Sequence, residues 1–271
     1  MPELPEVETT RRGIEPHMLK QTITKMIIRD RRLRWPISKQ LDVDAPGSQV
    51  ISIQRRSKYL LINTDKGCII LHLGMSGSLR VLPENTPVEK HDHVDIVLSN
   101  NLAIRFRDPR RFGSIFWTQA DPLQHKRLVN LGPEPLDDEF STDYLQQQTK
   151  GRKQNIKTLI MNSKIVVGVG NIYACESLFL AGIHPATIAG KISKIRLNRL
   201  VENIKQVLTK AISQGGTTLK DFTQSDGKPG YFAQSLNVYG RADEPCLKCK
   251  RPVKKMTQGQ RSTFYCPKCQ R

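Results

Sequence analysis

The sequence predicts an α+β chain: an N-terminal β-sandwich with a flanking helix, a helical C-terminal part and a small cysteine module at the end. Three observations carry this prediction. Short apolar runs separated by turn signals fill the stretch from about Thr22 to Thr118, which is the spacing of a sandwich or barrel. Beyond Lys153 the apolar residues recur at helical intervals instead. Near the end, four of the six cysteines stand in two Cys-x-x-Cys pairs.

Taken in order, Pro5, Glu6 and Glu8 suit the first turn of a helix that packs on the sandwich. Strands are expected within 49–55, 58–64, 68–74, 94–100 and 103–108, with turns at Asp65-Lys66-Gly67 and Asn100-Asn101. From Ala120 to Gly151 the pattern dissolves into Pro, Gly and acids, as a linker does. Helices are expected within 156–162, 171–183 and 195–212. VVGVGN (166–171) between the first two must be a turn, because Gly168 and Gly170 let the backbone approach another molecule. The domains are therefore set at 1–130, 151–240 and 241–271, with 131–150 as linker.

With 38% hydrophobic and 25% charged residues, the composition is that of a soluble globular protein. No apolar run is long enough to span a bilayer and no secretory signal opens the chain, so the cytoplasm is the expected compartment. The net charge of +18 favours a polyanionic partner. Nucleic acid is preferred to an anionic membrane, since no basic amphipathic helix has an aromatic, membrane-seeking face. Cys68 and Cys175 read as small buried hydrophobes.

The first residues, MPELPEVE, carry chemistry that a helix start does not explain. Removal of Met1 is expected to free the secondary amine of Pro2. An N-terminal amine ionises near ~8 rather than ~10.4, so much more of it is nucleophilic at neutral pH than of a lysine. Attack on a sugar aldehyde carbon by such an amine gives an iminium, an electron sink, and Glu3 is placed to shuttle a proton.

At the other end, Cys246, Cys249, Cys266 and Cys269 match a closed tetrahedral zinc site, hence one structural ion. Residues 241–271 hold nine Lys/Arg against two Asp/Glu, which suits phosphate contact, and Arg261 falls in the hairpin between the cysteine pairs. Lys58 lies in a cationic neighbourhood with Arg55 and Arg56.

Two glycine-flanked tips, HLGMSG (72–77) and FRDPRRFG (106–113), present Met75 and Phe112 as candidate wedges into a base stack. Arg110 and Arg111 lie beside Phe112 as phosphate partners. His91 and His93 are expected on opposite faces of a strand, and so not to share a metal. The turn at 166–171 places backbone N–H groups at a helix start, where phosphate binds readily.

PELPE, RRSKY, HLGMSG, DPRRFG, VVGVGNIYACESLF, the glycine-rich tract and the four-cysteine module stand in one order over essentially the whole chain. In this the chain resembles the bacterial formamidopyrimidine-DNA glycosylases. The resemblance implies a helix–two-turn–helix domain after the sandwich, a terminal zinc finger, and a monomer that binds double-stranded DNA across a cleft. It implies excision of oxidised purines, followed by strand cleavage at the abasic site. Pro2 would be the Schiff-base nucleophile, Glu3 the proton donor, Lys58 the β-elimination lysine and Arg261 the δ-elimination arginine. Met75, Arg110 and Phe112 would fill the void of the everted base. His72, His91, Arg152, Lys157, Gly170, Asn171 and Tyr239 would contact DNA, and a loop at about Thr217 to Pro229 would cover the base. Cys175 departs from the small residue expected there. Two alternatives remain: an endonuclease VIII-like enzyme for oxidised pyrimidines, and a non-catalytic zinc-dependent DNA-binding protein.

Overall fold

The structure, a computed structural model, describes residues 2–216 and 236–271. The loop expected over Thr217 to Pro229 lies outside the described residues. Two compact units result, one of 2–129 with 214–216, the other of Asn130–Ser213 with 236–271.

The first unit opens with α1 (Leu4–Met18), with Pro5 in its first turn. Leu4, Val7, Ile14 and Met18 recur at helical spacing and are fully buried. Eight strands follow: β1 (Ile23–Ile28), β2 (Val50–Arg56), β3 (Tyr59–Thr64), β4 (Cys68–His72), β5 (Ser78–Pro83), β6 (Asp92–Leu98), β7 (Leu102–Arg107) and β8 (Ser114–Thr118). They form two four-stranded antiparallel sheets, ordered β1-β6-β7-β5 and β2-β3-β4-β8. Ile23, Ile96 and Ile104 of one sheet share a single core with Ile53, Ile62 and Ile69 of the other, and with Val7, Ile14 and Met18 of α1. That is the expected sandwich with its helix. A short α2 (Gln40–Asp44) between β1 and β2 has too few residues to announce itself by periodicity.

The β2–β3 connection is a two-residue hairpin in which Arg56 pairs with Tyr59. Ser57 has φ +57, the conformation a tight hairpin of this hand requires at its first central position. Lys58 occupies the second position of that turn.

The second unit contains α3 (Thr142–Thr149), α4 (Ile156–Ile160), α5 (Asn171–Ala181), α6 (Lys194–Ser213) and a hairpin of β9 (Lys254–Gln258) with β10 (Arg261–Tyr265). The stretch expected as linker thus holds a helix. Ser141 caps α3 by accepting from the Tyr144 N–H at 3.2 Å, Leu145 is fully buried, and α3 packs on α6. An eight-residue helix with one buried aliphatic shows little periodicity, and the Pro-rich, acidic approach before it masks it in the sequence. Helix α5 is buried on nearly every side and ends at Gly182, whose φ of +68 closes it. Helix α6 is amphipathic, burying Leu197, Leu200, Val201, Ile204, Val207, Leu208 and Ala211. Among the described residues no helix is long and apolar enough to cross a membrane.

Candidate active site and nucleic-acid interface

Pro2 and Glu3 are both buried at the start of α1. The Glu3 backbone N–H donates to the Glu6 carboxylate at 2.8 Å, which fixes the approach of the chain to the helix. One turn further, Glu8 does more than open a helix. It accepts from Arg11, Arg12 and Arg55, the last at 3.3 Å. Burial pushes the Glu8 carboxyl up, but the arginine hydrogen bonds outweigh it and hold the group below its usual range. Arg55 also donates to the Ser57 carbonyl at 3.0 Å. A buried carboxylate on the helix that carries Pro2 thereby sets the turn that carries Lys58.

His72, at the end of β4, stands opposite Tyr59, with ring centroids 4.8 Å apart. Its Nδ1 accepts from the Gly74 N–H at 2.9 Å. Burial, then the charges of Lys58 and Arg34, hold the imidazole at about 4, so the ring is neutral near pH 7. Gly74 has φ +70, and a Cβ there would meet Phe112 C and Gly113 N at 2.4 Å. The two glycine-flanked tips are therefore in contact, backbone against backbone.

One carboxylate braces them. Asp108, fully buried, accepts from Ser76 Oγ at 2.9 Å and from the Gly113 N–H at 2.7 Å. Its own N–H donates to the His91 carbonyl at 3.1 Å, and its carbonyl accepts from His93 Nε2 at 2.9 Å. Met75, His91, Arg110 and Phe112 are thus presented by segments tied to one residue. Phe112 is 41% exposed, with the Arg110 guanidinium 4.9 Å from its ring centroid. An exposed aromatic covered by a cation suits base stacking and phosphate neutralisation.

The expectation for the histidine pair is corrected. Residues two apart share a face of a strand, and His91, at φ +77, precedes β6 altogether. The two rings stand edge to face at 6.4 Å. Among the described residues the pair belongs to no group of three or more metal-ligating side chains.

In the second unit, Gly168 has φ +77, and Gly170 is the extended N-cap of α5. Asn171 follows as its first helical residue. The Asn171 side chain accepts from Lys157 Nζ at 2.5 Å and donates to the Ser262 carbonyl at 2.8 Å. Lys157 is 1% exposed and also donates to Thr263 Oγ1 at 2.6 Å. Arg152 is exposed, its Nε donating to the Gln148 carbonyl at 3.3 Å. Arg261 is exposed beside a two-residue turn, Gly259-Gln260, in which both φ values are positive. Tyr239 is half-buried, edge-on to Phe264 at 5.0 Å. Its N–H, with those of Asn237 and Val238, donates to the buried carboxylate of Glu176.

The four thiols of Cys246, Cys249, Cys266 and Cys269 lie within 4.8 Å of one another. Cys246 and Cys269 are 3.9 Å apart, Cys249 and Cys266 3.4 Å. Tetrahedral zinc with ~2.3 Å bonds to sulfur requires about 3.8 Å between sulfurs, so the donor set and its spacing fit the ion. Gln270 fastens this module to the end of α5: it accepts from the Cys266 N–H at 2.8 Å and donates to the Ile183 carbonyl at 2.9 Å.

Family models describe the same three parts. The formamidopyrimidine-DNA glycosylase N-terminal domain matches residues 1–115, the formamidopyrimidine-DNA glycosylase H2TH domain 131–223, and the zinc finger found in FPG and IleRS 243–271. The formamidopyrimidine-DNA glycosylase of Hydrogenovibrio crunogenus is 56% identical over 271 residues, spanning 100% of this chain and 97% of the relative. That of Escherichia coli is 56% identical over 271 residues, spanning 100% of both. The chain belongs to the formamidopyrimidine-DNA glycosylase family. Among solved structures, the Thermus thermophilus MutM (Fpg) protein superposes with a TM-score of 0.89 at 35% identity, over 99% of this chain and 98% of that one. The Lactococcus lactis Fpg bound to DNA containing an abasic site superposes at 0.92 with 32% identity, over 99% of each.

In this member of the formamidopyrimidine-DNA glycosylase family, local sequence marks the candidate site residues but not the buried polar pairings that hold them. Those partners are Glu8, which meets Arg55 behind the Lys58 turn, Asp108 behind the tips, Glu176 behind Tyr239 and Thr263 behind Lys157. Glu176 alone left a local signal. A lone acid in a helix apolar on every side must meet donors.

Proposed function

We propose that the chain is a DNA glycosylase and apurinic/apyrimidinic lyase that removes oxidised purines, 8-oxoguanine and formamidopyrimidines among them, from double-stranded DNA. The observation that carries this is Pro2-Glu3 at the buried start of α1 in a chain of this family. With Met1 removed, the Pro2 nitrogen attacks C1′ of the everted nucleotide, and the base departs with the electron pair of its bond to C1′ and takes up the proton that the Pro2 nitrogen gives up. Glu3 gives a proton to the sugar ring oxygen as the C1′–O4′ bond opens, leaving an iminium between Pro2 and C1′. The iminium acidifies C2′. Loss of a C2′ proton expels the 3′ phosphate, with Lys58 assisting, and a second elimination expels the 5′ phosphate, with Arg261 assisting.

Eversion costs a few kcal/mol, which Met75, Arg110 and Phe112 offset by occupying the void. His72, His91, Arg152, Gly170, Asn171 and Tyr239 bind the DNA, and Lys157 serves them by holding Asn171. Zinc, held by the four cysteines, supplies folding free energy to the finger, since four thiolates leave no open position for substrate. The protein works as a monomer in the bacterial cytoplasm.

The test is borohydride reduction of protein mixed with duplex DNA containing 8-oxoguanine. A covalent adduct mapping to Pro2 is expected, and none from protein with an uncleavable extension before Pro2. An adduct on Lys58 would overturn the assignment of the nucleophile. A second reading has one observation in its favour. The Lactococcus lactis Fpg has been solved with DNA containing an oxidised pyrimidine, and this chain superposes on it with a TM-score of 0.91 at 31% identity. Oxidised pyrimidines are accordingly a secondary substrate class, tested by comparing excision of 8-oxoguanine and thymine glycol.

A further inference from the structure

We infer that Thr263 is a positioning residue for the second strand-cleaving step: through Lys157 and Asn171 it fixes the place of Arg261. The inference rests on the proposed role of Arg261 in δ-elimination.

A two-stranded hairpin is marginal by itself, so the position of its tip must come from bonds to other elements. The zinc ligands do not supply them at the tip, because the nearest on this strand, Cys266, lies beyond the far end of β10 from Arg261. What does reach the tip is a closed ring of hydrogen bonds. Lys157 of α4 donates to Thr263 Oγ1 at 2.6 Å and to Asn171 Oδ1 at 2.5 Å. Asn171 then donates to the carbonyl of Ser262, the residue after Arg261, at 2.8 Å. The ring joins α4, the first residue of α5 and β10.

Thr263 is fully buried and Lys157 nearly so. Charge-assisted bonds in such a setting are short and strong, and an ammonium deprived of one acceptor must rearrange. Arg261 and Thr263 are two apart on one strand, so their side chains leave the same face. The opposite strand is held as well. Gln258, cross-strand partner of Arg261, donates to the Pro185 carbonyl at 3.3 Å, and the Lys157 N–H donates to that same carbonyl at 3.4 Å. Lys157 and Arg261 accordingly line one open cleft of about 310 Å³. A threonine hydroxyl at 263 thus sets where the arginine at 261 stands, although it touches no substrate.

The experiment compares Thr263→Val, which keeps the shape and removes the acceptor, with Thr263→Ser, which keeps the hydroxyl. Arg261→Ala is the reference. Each full-length protein is assayed for zinc content, for borohydride adduct on a duplex with a preformed abasic site, and for the ratio of δ- to β-elimination product. Misplacing a catalytic group by about 1 Å costs up to ~100-fold in rate. Thr263→Val should therefore lower the δ/β ratio roughly tenfold, with zinc content unchanged and adduct yield unchanged when DNA is saturating. Thr263→Ser should stay within about twofold of the parent. If Arg261→Ala lowers the ratio and Thr263→Val does not, the inference about Thr263 is wrong. Loss of zinc or adduct in Thr263→Val alongside the ratio, or failure of Thr263→Ser to restore it, makes the role merely structural and also overturns the inference. If Arg261→Ala leaves the ratio unchanged, it is the role of Arg261 that fails, and a normal trapping yield would still stand for Pro2.

Discussion

Replacing His72 with glutamine should make the first unit less sensitive to acid. In the folded chain the His72 ring is held at about 4, first by burial and then by Lys58 and Arg34; in the unfolded chain it ionises near ~6.5. Between those values the unfolded state binds more protons than the folded one, so stability rises with pH across the window. The contribution of the neutral ring is fully present above about pH 6.5 and is lost as pH falls towards about 4. The gap corresponds to about 3 kcal/mol at most. In the folded chain the ring keeps its Nδ1 acceptor for the Gly74 N–H throughout that window, and the Met75 tip loses this anchor only as pH falls through about 4. Glutamine has an acceptor but does not titrate. Urea unfolding followed from about pH 7.5 to about pH 4.5 should show the parent falling towards the variant's curve by up to ~3 kcal/mol. The two profiles running parallel, or a ring resonance titrating near ~6.5 in the folded protein, would refute the reasoning.

Two further outcomes are expected. Cys249→Ser should lose the metal and weaken DNA binding more than it lowers the stability of the rest of the chain, because metal affinity is folding free energy for so small a module; metal analysis with a binding titration checks this, and undiminished binding without zinc would sink it. Met75→Ala, Arg110→Ala and Phe112→Ala should impair excision from an intact base pair far more than cleavage at a preformed abasic site, where no base has to be extruded; equal losses on the two substrates would assign these residues to general binding.

What the sequence determined by itself is whatever neighbouring residues decide among themselves. Pro5 and Glu6 announce the start of α1, the two Cys-x-x-Cys pairs announce a metal site, and alternating apolar residues announce strands. Glycines at 74 and 168 announce turns that no side chain tolerates well, with φ of +70 and +77 in the structure. The motif order carried the family. Helix α3 was hidden because one buried leucine makes no period. His91 and His93 are two apart and so share a face, and a left-handed φ of +77 at His91 puts it ahead of β6.

The tertiary structure decided which buried polar groups hold the candidate site residues. Asp108 meets Ser76 across 32 positions, Glu8 meets Arg55 across 47, and Lys157 meets Thr263 across 106. Local sequence has no means of expressing such pairings. A buried carboxylate or ammonium states only that a partner is required, and chain neighbours do not say which distant strand or helix folding will bring to it.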